Sequence, residues 1–304
     1  MNHQNTFSFM KKTFILLALV FCWKTADAQI PNTHIYLFKM EQFGDSLFQF
    51  NNPQLLTAFN EKGYNNQPAF FSNDEIYFSM GDASGTIPTN IVSLNLRTKV
   101  KTEITLSADR EYSPTPLIEP YYFSCVRQEA DGKDTQRLWV FPIDRSSKGQ
   151  PILPKTTGVG YHCWLGNEIV ALFIVGDPVK LAIANTKDKT VQTITSNIGR
   201  CLQRMENGNL AYIHKTSESN WTIKELDLET MRSTTIVSTV PQSEDFVILP
   251  KNTFVMASGS KLYKYQKGWD IGWLEIGAFS KLGLKNITRM AVSNDGKIAL
   301  VDVK

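Results

Sequence analysis

The sequence has little cysteine, little histidine and no large excess of either charge. Four cysteines and four histidines are spread over 304 residues, and the formal net charge is +3. A near-neutral chain gives no electrostatic reason to bind nucleic acid or an anionic membrane surface. No Cys-x-x-Cys pair occurs, which argues against a disulfide-stapled scaffold and a cysteine-rich zinc site. We therefore expect no nucleic-acid partner, no membrane insertion and no cofactor.

The N-terminus has the pattern of a secretory signal. Lys11 and Lys12 precede the apolar run 14–21, and Ala26 and Ala28 place small residues before the expected cleavage point. The run is too short to anchor the chain in a bilayer. We predict that residues 1–28 form a cleaved signal peptide, with Met10 as an alternative start. Residues 29–304 are then a single mature domain in the periplasm or outside the cell.

Cleavage would leave three cysteines and almost no net charge. Removing Lys11, Lys12, Lys24 and Asp27 lowers the formal charge from +3 to +1. Lipid attachment at Cys22 is disfavoured because the preceding Phe21 is large where a small residue is required. An odd number of cysteines remains even though export permits disulfides. We interpret these residues as free buried thiols: Cys125, Cys163 and Cys201.

Long segments with a 3.6-residue apolar period are absent from the mature chain, which argues against a helical fold. Short runs rich in Ile, Val, Tyr, Phe and Thr alternate with Gly, Asn, Asp, Pro and Ser, a pattern typical of strands and turns. Equivalent apolar residues recur every 41 to 48 positions: Ile76, Tyr121, Ile169, Leu210, Phe254 and Ile298. Six such units predict an all-β fold, a six-bladed β-propeller with four antiparallel strands per blade.

The two ends of the chain predict how the ring closes. The last unit stops at Lys304 after two strands, and the early segments 34–40 and 47–57 match the third and fourth strands of a unit. We predict that these N-terminal strands complete the last blade. A linear solenoid is the competing architecture, but it leaves unpaired sheet edges that ring closure removes. Residues 29–33 carry no strand pattern, so their deletion is expected to have no effect.

Two segments carry a repeat motif. The stretches QPAFFSNDEIYF (67–78) and MAVSNDGKIALV (290–301) resemble the TolB-type, WD-like propeller repeat, whose core resembles Pro-x-Phe-Ser-x-Asp-Gly-x-x-Ile-x-Phe. The resemblance extends over 34–304, although the turns of the second, third and fifth units depart from it. It implies an exported propeller from a group that includes periplasmic adaptor proteins and accessory domains of peptidases. The motif describes a turn and a core, so it implies no particular site.

The usual spacings of catalytic residues are also absent. The sequence has no GxSxG, HExxH, P-loop or GxGxxG pattern. The stretch ADGKD (130–134) resembles a calcium loop but lacks the later bidentate glutamate, so we interpret it as a hydrophilic loop. The three histidines of the mature chain fall in different units: His34, His162 and His214. We therefore expect no catalytic residue and no metal site.

Propeller geometry predicts where separate segments should meet. The segment before each innermost strand caps one end of the central channel, and six such segments occur: 63–67, 111–115, 158–162, 197–200, 242–245 and 286–289. They present aromatic rings, guanidinium groups and carboxylates, the groups that recognition surfaces use. The candidate binding residues are Tyr64, Tyr112, His162, Arg200, Glu244, Asp245 and Arg289. The structural interpretation is that Arg200 pairs with Glu244 or Asp245 and that the two tyrosines pack.

Two functions follow from these residues. The first is a non-enzymatic, monomeric scaffold that binds a protein or peptide in the cell envelope or outside the cell. The alternative is a small-substrate enzyme of the polysaccharide lyase or glycosidase type, with Glu244 and Asp245 as acid/base candidates and Arg200 or Arg289 clamping a substrate carboxylate. Neighbouring residues on a strand point in opposite directions, which argues against Glu244 and Asp245 acting as a pair.

The stretch GWDIGW (268–273) is unusual because two tryptophans lie four residues apart. On an extended strand, Trp269 and Trp273 would share one face. Such a pair can stack on a sugar or flank a peptide. Packing between neighbouring blades is the second interpretation, and we favour it.

Overall fold

The computed structural model describes residues 30–304 as a closed ring of six four-stranded antiparallel sheets. The predicted fold is therefore confirmed, including the number of blades and of strands per blade. The predicted signal peptide, residues 1–28, lies outside the described residues. Two single-turn 3₁₀ helices lie between blades, at Ala58–Asn60 and Ser280–Leu282. Within the described part of the chain, no helix has the length and apolar character needed to cross a membrane.

The blades are numbered in chain order. The chain opens with β1 (Thr33–Phe43) and β2 (Leu47–Leu55). Blade 1 contains β3 (Tyr64–Ser72), β4 (Glu75–Gly81), β5 (Asn90–Asn95) and β6 (Lys101–Glu103). Blade 2 contains β7 (Arg110–Pro116), β8 (Tyr122–Gln128), β9 (Gln136–Pro142) and β10 (Gln150–Pro151). Blade 3 contains β11 (Val159–Trp164), β12 (Ile169–Ile174), β13 (Lys180–Asn185) and β14 (Thr190–Ser196).

The second half of the ring follows the same order. Blade 4 contains β15 (Ile198–Arg204), β16 (Leu210–Lys215), β17 (Trp221–Asp227) and β18 (Arg232–Ser238). Blade 5 contains β19 (Phe246–Leu249), β20 (Thr253–Ser258), β21 (Lys261–Gln266) and β22 (Leu274–Ala278). Blade 6 combines β23 (Ile287–Val292) and β24 (Lys297–Val303) with β1 and β2.

The N-terminal strands close the ring, as the sequence predicts. Strand β1 pairs with β24 in antiparallel register, from Thr33 opposite Val303 to Lys39 opposite Lys297. Strand β2 then pairs with the free edge of β1. Blade 6 is therefore built from both ends of the described chain, and the first and last repeats are tied together by backbone hydrogen bonds.

The expectation that residues 29–33 carry no strand is wrong at Thr33. This residue begins β1 and is fully buried. Its hydroxyl donates to the backbone oxygen of Asn65 in blade 1 (2.9 Å) and accepts the Asn65 backbone N–H (2.8 Å), while the Asn65 side chain donates to the Thr33 carbonyl (2.8 Å). Threonine is not an apolar strand residue, so a hydrophobic pattern misses a polar seam of this kind.

The turn between β23 and β24 shows why the repeat motif has a glycine after its aspartate. Gly296 has a φ of +85°, and a Cβ at this position would lie 2.9 Å from the Met40 carbonyl oxygen. The Met40 N–H in turn donates to the Gly296 carbonyl at 2.7 Å. Glycine therefore satisfies two demands, a left-handed backbone and the close approach of β1.

The hydrophobic core lies between blades. Among the described residues, six buried clusters each join side chains of two adjacent blades, one cluster for each junction of the ring. The junction of blades 5 and 6 illustrates the packing. Phe279 packs edge-on against Phe38 of β1 and Phe50 of β2, with ring centroids 5.0 and 5.1 Å apart. The closing strands thus contribute core side chains as well as hydrogen bonds.

The three cysteines of the described chain are free thiols, as predicted. Cys125 and Cys201 are buried and Cys163 is half-buried. Burial raises the pKa of Cys163 to about 12 and raises the pKa of the other two thiols as well. Because the thiolate is the reactive form, these cysteines are structural at neutral pH.

Candidate functional site

The innermost strands of all six blades enclose a central cavity of about 310 Å³. Because every blade is an antiparallel meander, all inner strands run in the same direction along the ring axis. The segments preceding them, and the turns joining second to third strands, therefore lie at one end, which we call the mouth end. The other turns lie at the opposite end, which we call the turn end. The predicted binding segments belong to the mouth end.

Irregularities in the inner strands set which residues face the channel. Register breaks interrupt five of the six inner strands, namely β3, β7, β11, β15 and β23. Gln67 and Ser113 lie at two of these breaks with φ of +56°. A bulge redirects the side chains around it. Consecutive residues can therefore line the cavity, as Tyr161, His162 and Cys163 do.

Four blades contribute to a charged cluster at the mouth end. The Asp245 carboxylate accepts hydrogen bonds from Arg200, through Nε at 2.8 Å and through Nη2. Its other oxygen lies 3.4 Å from Nη1 of Arg289. Arg289 also donates from Nη2 to the Tyr161 hydroxyl at 2.9 Å, with its guanidinium 5.0 Å from that ring's centroid. The predicted pairing of Arg200 with an acidic neighbour is therefore present, as part of a larger cluster.

Glu244 extends this cluster to the rim. It accepts the Arg200 backbone N–H at 3.0 Å and binds the Lys215 ammonium at 2.8 Å. Glu244 and Asp245 precede β19, so the rule that strand neighbours point apart does not apply to them, and both carboxylates contact Arg200. Sequence reasoning missed Lys215. It ends the second strand of blade 4, and this position in the repeat reaches the mouth end.

Burial and ion pairing oppose each other in this cluster. Burial alone would raise the pKa of Glu244, but the Lys215 hydrogen bond and the positive charges of Arg200 and Lys215 hold that pKa below its ordinary value. Burial would lower the pKa of Arg200, yet Asp245 raises it above its ordinary value. These groups are therefore charged at neutral pH, and the cluster is ionic rather than protonated.

Tyr64 and Tyr112 form a separate pair on adjacent blades. Their ring centroids lie 6.4 Å apart at an interplanar angle of 77°, and Tyr64 is buried. Burial raises the pKa of Tyr64 above its ordinary value. This geometry fits the packing interpretation, in which the two rings join blades 1 and 2 at the mouth end.

His162 is part of a buried network between blades 2 and 3. Its Nε2 lies 2.7 Å from the Ser124 hydroxyl oxygen, which also accepts a hydrogen bond from Trp164 Nε1 at 2.9 Å. Burial lowers the pKa of His162 to about 3. Ser124 is fully buried. The contact resembles a serine–histidine dyad, but the hydroxyl is inaccessible to a substrate, so its role is to connect blades.

A second cavity of about 270 Å³ opens beside the channel at the mouth end. Connecting segments and turns of blades 4, 5 and 6 form its walls, which include Gln242, Ser258 and Asn286. Arg200 and Asp245 line both cavities. The ionic cluster therefore forms a wall that the two cavities share.

Two motifs outside the channel have structural explanations. Trp269 lies in the turn between β21 and β22 at the turn end and is exposed, whereas Trp273 packs beside blade 4 and donates Nε1–H to the Ser238 carbonyl at 2.7 Å. The expectation of a shared strand face is therefore wrong, and only Trp273 packs between blades.

In the ADGKD loop, Asp131 accepts the Lys133 backbone N–H at 2.8 Å. Within residues 30–304, no group of three or more His, Cys, Asp or Glu side chains has a metal-binding arrangement.

No protein-family model matches the chain, and no curated protein matches it. Solved structures share its fold. The putative TolB from Agrobacterium tumefaciens superposes with a TM-score of 0.62 at 8% identity, over 90% of this chain and 99% of that chain. TolB from Acinetobacter baumannii superposes with a TM-score of 0.55 at 12% identity, over 90% of this chain and 64% of that chain.

Enzymes share the same architecture. An oligogalacturonate lyase from Vibrio parahaemolyticus superposes with a TM-score of 0.56 at 12% identity, covering 88% of this chain and 91% of that chain. The chain is thus a six-bladed propeller with the fold of TolB-like proteins, as the repeat motif predicts. At these identities the likeness extends to the fold alone, and one fold hosts both binding proteins and enzymes.

Proposed function

We propose that this chain is an exported propeller that binds a protein or peptide partner at its mouth end. The observation that carries the proposal is the cluster of Tyr161, Arg200, Asp245 and Arg289, which is built from four blades and lies between two cavities. Arginine and tyrosine are enriched among the residues that dominate binding energy at interfaces. Side chains fixed by mutual contacts lose little freedom on binding, which favours recognition.

A lyase- or glycosidase-type enzyme is the second candidate. Two guanidinium groups in one cavity can hold a substrate carboxylate, and the fold is shared with an oligogalacturonate lyase. Acid/base chemistry also needs a carboxyl group that can exchange a proton near neutral pH. Glu244 and Asp245 both contact Arg200, and the pKa of Glu244 is lowered. These contacts favour binding over catalysis.

Export is part of the proposal. The segment 1–28 has a charged start, an apolar run and small residues before Gln29. We place the mature protein in the periplasm or outside the cell. Cell fractionation followed by N-terminal sequencing tests this directly, because a mature chain starting at Gln29 in an envelope or medium fraction is expected. Intact chain confined to the cytoplasm would contradict export.

A capture experiment with matched variants tests the binding site. Ser258 lines the second cavity, so Ser258→Trp should fill it and reduce partner capture from envelope and medium fractions. Trp269→Ser, at the turn end, is the control and should retain capture. The affinity of each recovered partner is then measured with the purified protein. Equal capture by both variants would rule out the mouth end as the binding site. Turnover of any member of a glycan or peptide panel would favour the enzymatic function over the binding function.

A further inference from the structure

The ionic cluster at the mouth end has more positive than negative charge. Three cations, Arg200, Lys215 and Arg289, are matched by two carboxylates, Glu244 and Asp245. Arg289 is the least well matched of the cations. Its contact with Asp245 is 3.4 Å long, while Arg200 binds the same carboxylate through two nitrogens. The cluster therefore has a formal charge of +1, and its side chains are partly buried, with exposed fractions of 12 to 29%. Partial burial strengthens the attraction for an anion relative to full exposure to water.

Arg289 also has unused hydrogen-bonding capacity. A guanidinium carries five N–H donors in a planar fork. Arg289 directs one nitrogen to the Tyr161 hydroxyl and another to Asp245, and its side chain is 15% exposed in the channel wall. A fork of this kind matches the two oxygens of a carboxylate. Arg289 thus retains N–H donors for one more anion in addition to its charge.

Polar atoms without partners surround the same cavities. Within the described chain, His162 Nδ1, Ser113 Oγ and Thr288 Oγ1 are buried and have no hydrogen-bond partner. His162 is 8% exposed and lines the channel together with Ser113, while Thr288 lines the second cavity. A buried polar group without a partner costs free energy. These atoms are covered in this structure, so a polar ligand would satisfy them only after the neighbouring side chains move.

The shape of the channel restricts what can enter it. Six inner strands enclose the cavity on all sides, and its volume of about 310 Å³ is at the small end for ligand sites. A polypeptide can enter such a space end-on but not as a loop. An N-terminal ammonium would be repelled by the positive cluster, whereas a C-terminal carboxylate would be attracted. Apolar residues such as Phe70, Met290 and Val292 also line the cavity and suit a terminal apolar side chain better than sugar hydroxyls.

We infer that the channel mouth binds the C-terminal carboxylate of a peptide or protein partner, with Arg289 as the main ligand and Arg200 as the second. This inference rests on the proposed binding function and assigns the chemistry recognised. An acidic side chain or a uronic acid presents the same carboxylate group. The experiment therefore separates these sources.

The probe is a pool of N-terminally biotinylated random hexapeptides, supplied as free acids and as C-terminal amides. The purified protein should retain free acids at least tenfold more than amides. Peptides that bind are resynthesised, and their Kd is measured by fluorescence anisotropy. Arg289→Gln should weaken binding of the free acid by tenfold or more and leave binding of the amide unchanged. Arg232→Gln removes the same charge from the exposed strand β18 and should change neither.

Each other outcome overturns a defined part of the inference. Equal retention of acids and amides overturns carboxylate recognition, and the proposed binding function survives if Ser258→Trp still abolishes that retention. If the amides that are retained are enriched in internal Asp or Glu, the recognised carboxylate belongs to a side chain and not to the C-terminus. Binding of trigalacturonate that requires Arg289, without peptide binding, overturns the peptide source. Failure of both pools and of trigalacturonate overturns the inference, whereas the proposed binding site is decided separately by the capture experiment with Ser258→Trp. If Arg289→Gln does not fold, the comparison of free acids with amides on the unmodified protein still tests carboxylate recognition.

Discussion

Replacing Thr33 with valine should weaken the seam that closes the ring. The substitution keeps the shape of the side chain and removes one hydroxyl. In the folded protein that hydroxyl binds both the backbone oxygen and the backbone N–H of Asn65, at 2.9 and 2.8 Å, and both residues are fully buried. Valine would leave these two backbone groups without that partner where water has little access.

The expected cost follows from the number of groups affected. A buried polar group left without a partner costs about 1–3 kcal/mol. With two groups, and some recovery from the added methyl, we expect Thr33→Val to lower the free energy of unfolding by about 2–4 kcal/mol. Since domains are stable by only about 5–15 kcal/mol, this loss is easily measured. The deletion of 29–33, which the sequence pattern predicts to have no effect, should cost at least as much because it removes Thr33.

Urea unfolding, followed by tryptophan fluorescence, measures the effect through the midpoint and slope of the transition. Thr234→Val is the matched control, because Thr234 lies exposed on β18 at the outer edge of blade 4. The control should stay within about 0.5 kcal/mol of the unmodified protein. If Thr33→Val is as stable as Thr234→Val, the seam does not depend on this hydroxyl and the reasoning fails.

Two further predictions concern closure and acid stability. Deleting residues 30–57 should give insoluble protein or strand-exchanged oligomers, because the edge of β24 loses its partner. A shortened protein that is monomeric in size-exclusion chromatography and melts cooperatively would show that the N-terminal strands are not needed to close the ring. Below about pH 6.5, His162 should reduce stability by about 1.4 kcal/mol per pH unit, because the unfolded chain takes up a proton that the folded chain excludes until its pKa of about 3. The free energy of unfolding is measured as a function of pH, and His162→Gln should reduce the slope. An unchanged slope would show that protonation of His162 does not contribute to the loss of stability in acid.

The sequence by itself determined the number of blades and the manner of closure. Strand alternation and turn chemistry are local properties, so markers from Ile76 to Ile298 could be read at intervals of 41 to 48 residues. The sequence also predicted how the ring closes, because segments 34–40 and 47–57 have the pattern of the two strands that the last unit lacks. Equivalent positions in a repeat lie at the same end of the ring, which located the candidate residues at the mouth end.

Only the tertiary structure decided which side chains meet there. Tyr161 and Arg289 are 128 residues apart, and their contact depends on bulges in β11 and β23 that leave no regular trace in the sequence. Arg200 contacts both acidic residues because these precede β19 instead of lying in it. Thr33 and Lys215 were not found because a polar contact depends on partner, distance and exclusion of water. Those are properties of the closed ring, whereas hydrophobic periodicity is a property of each strand.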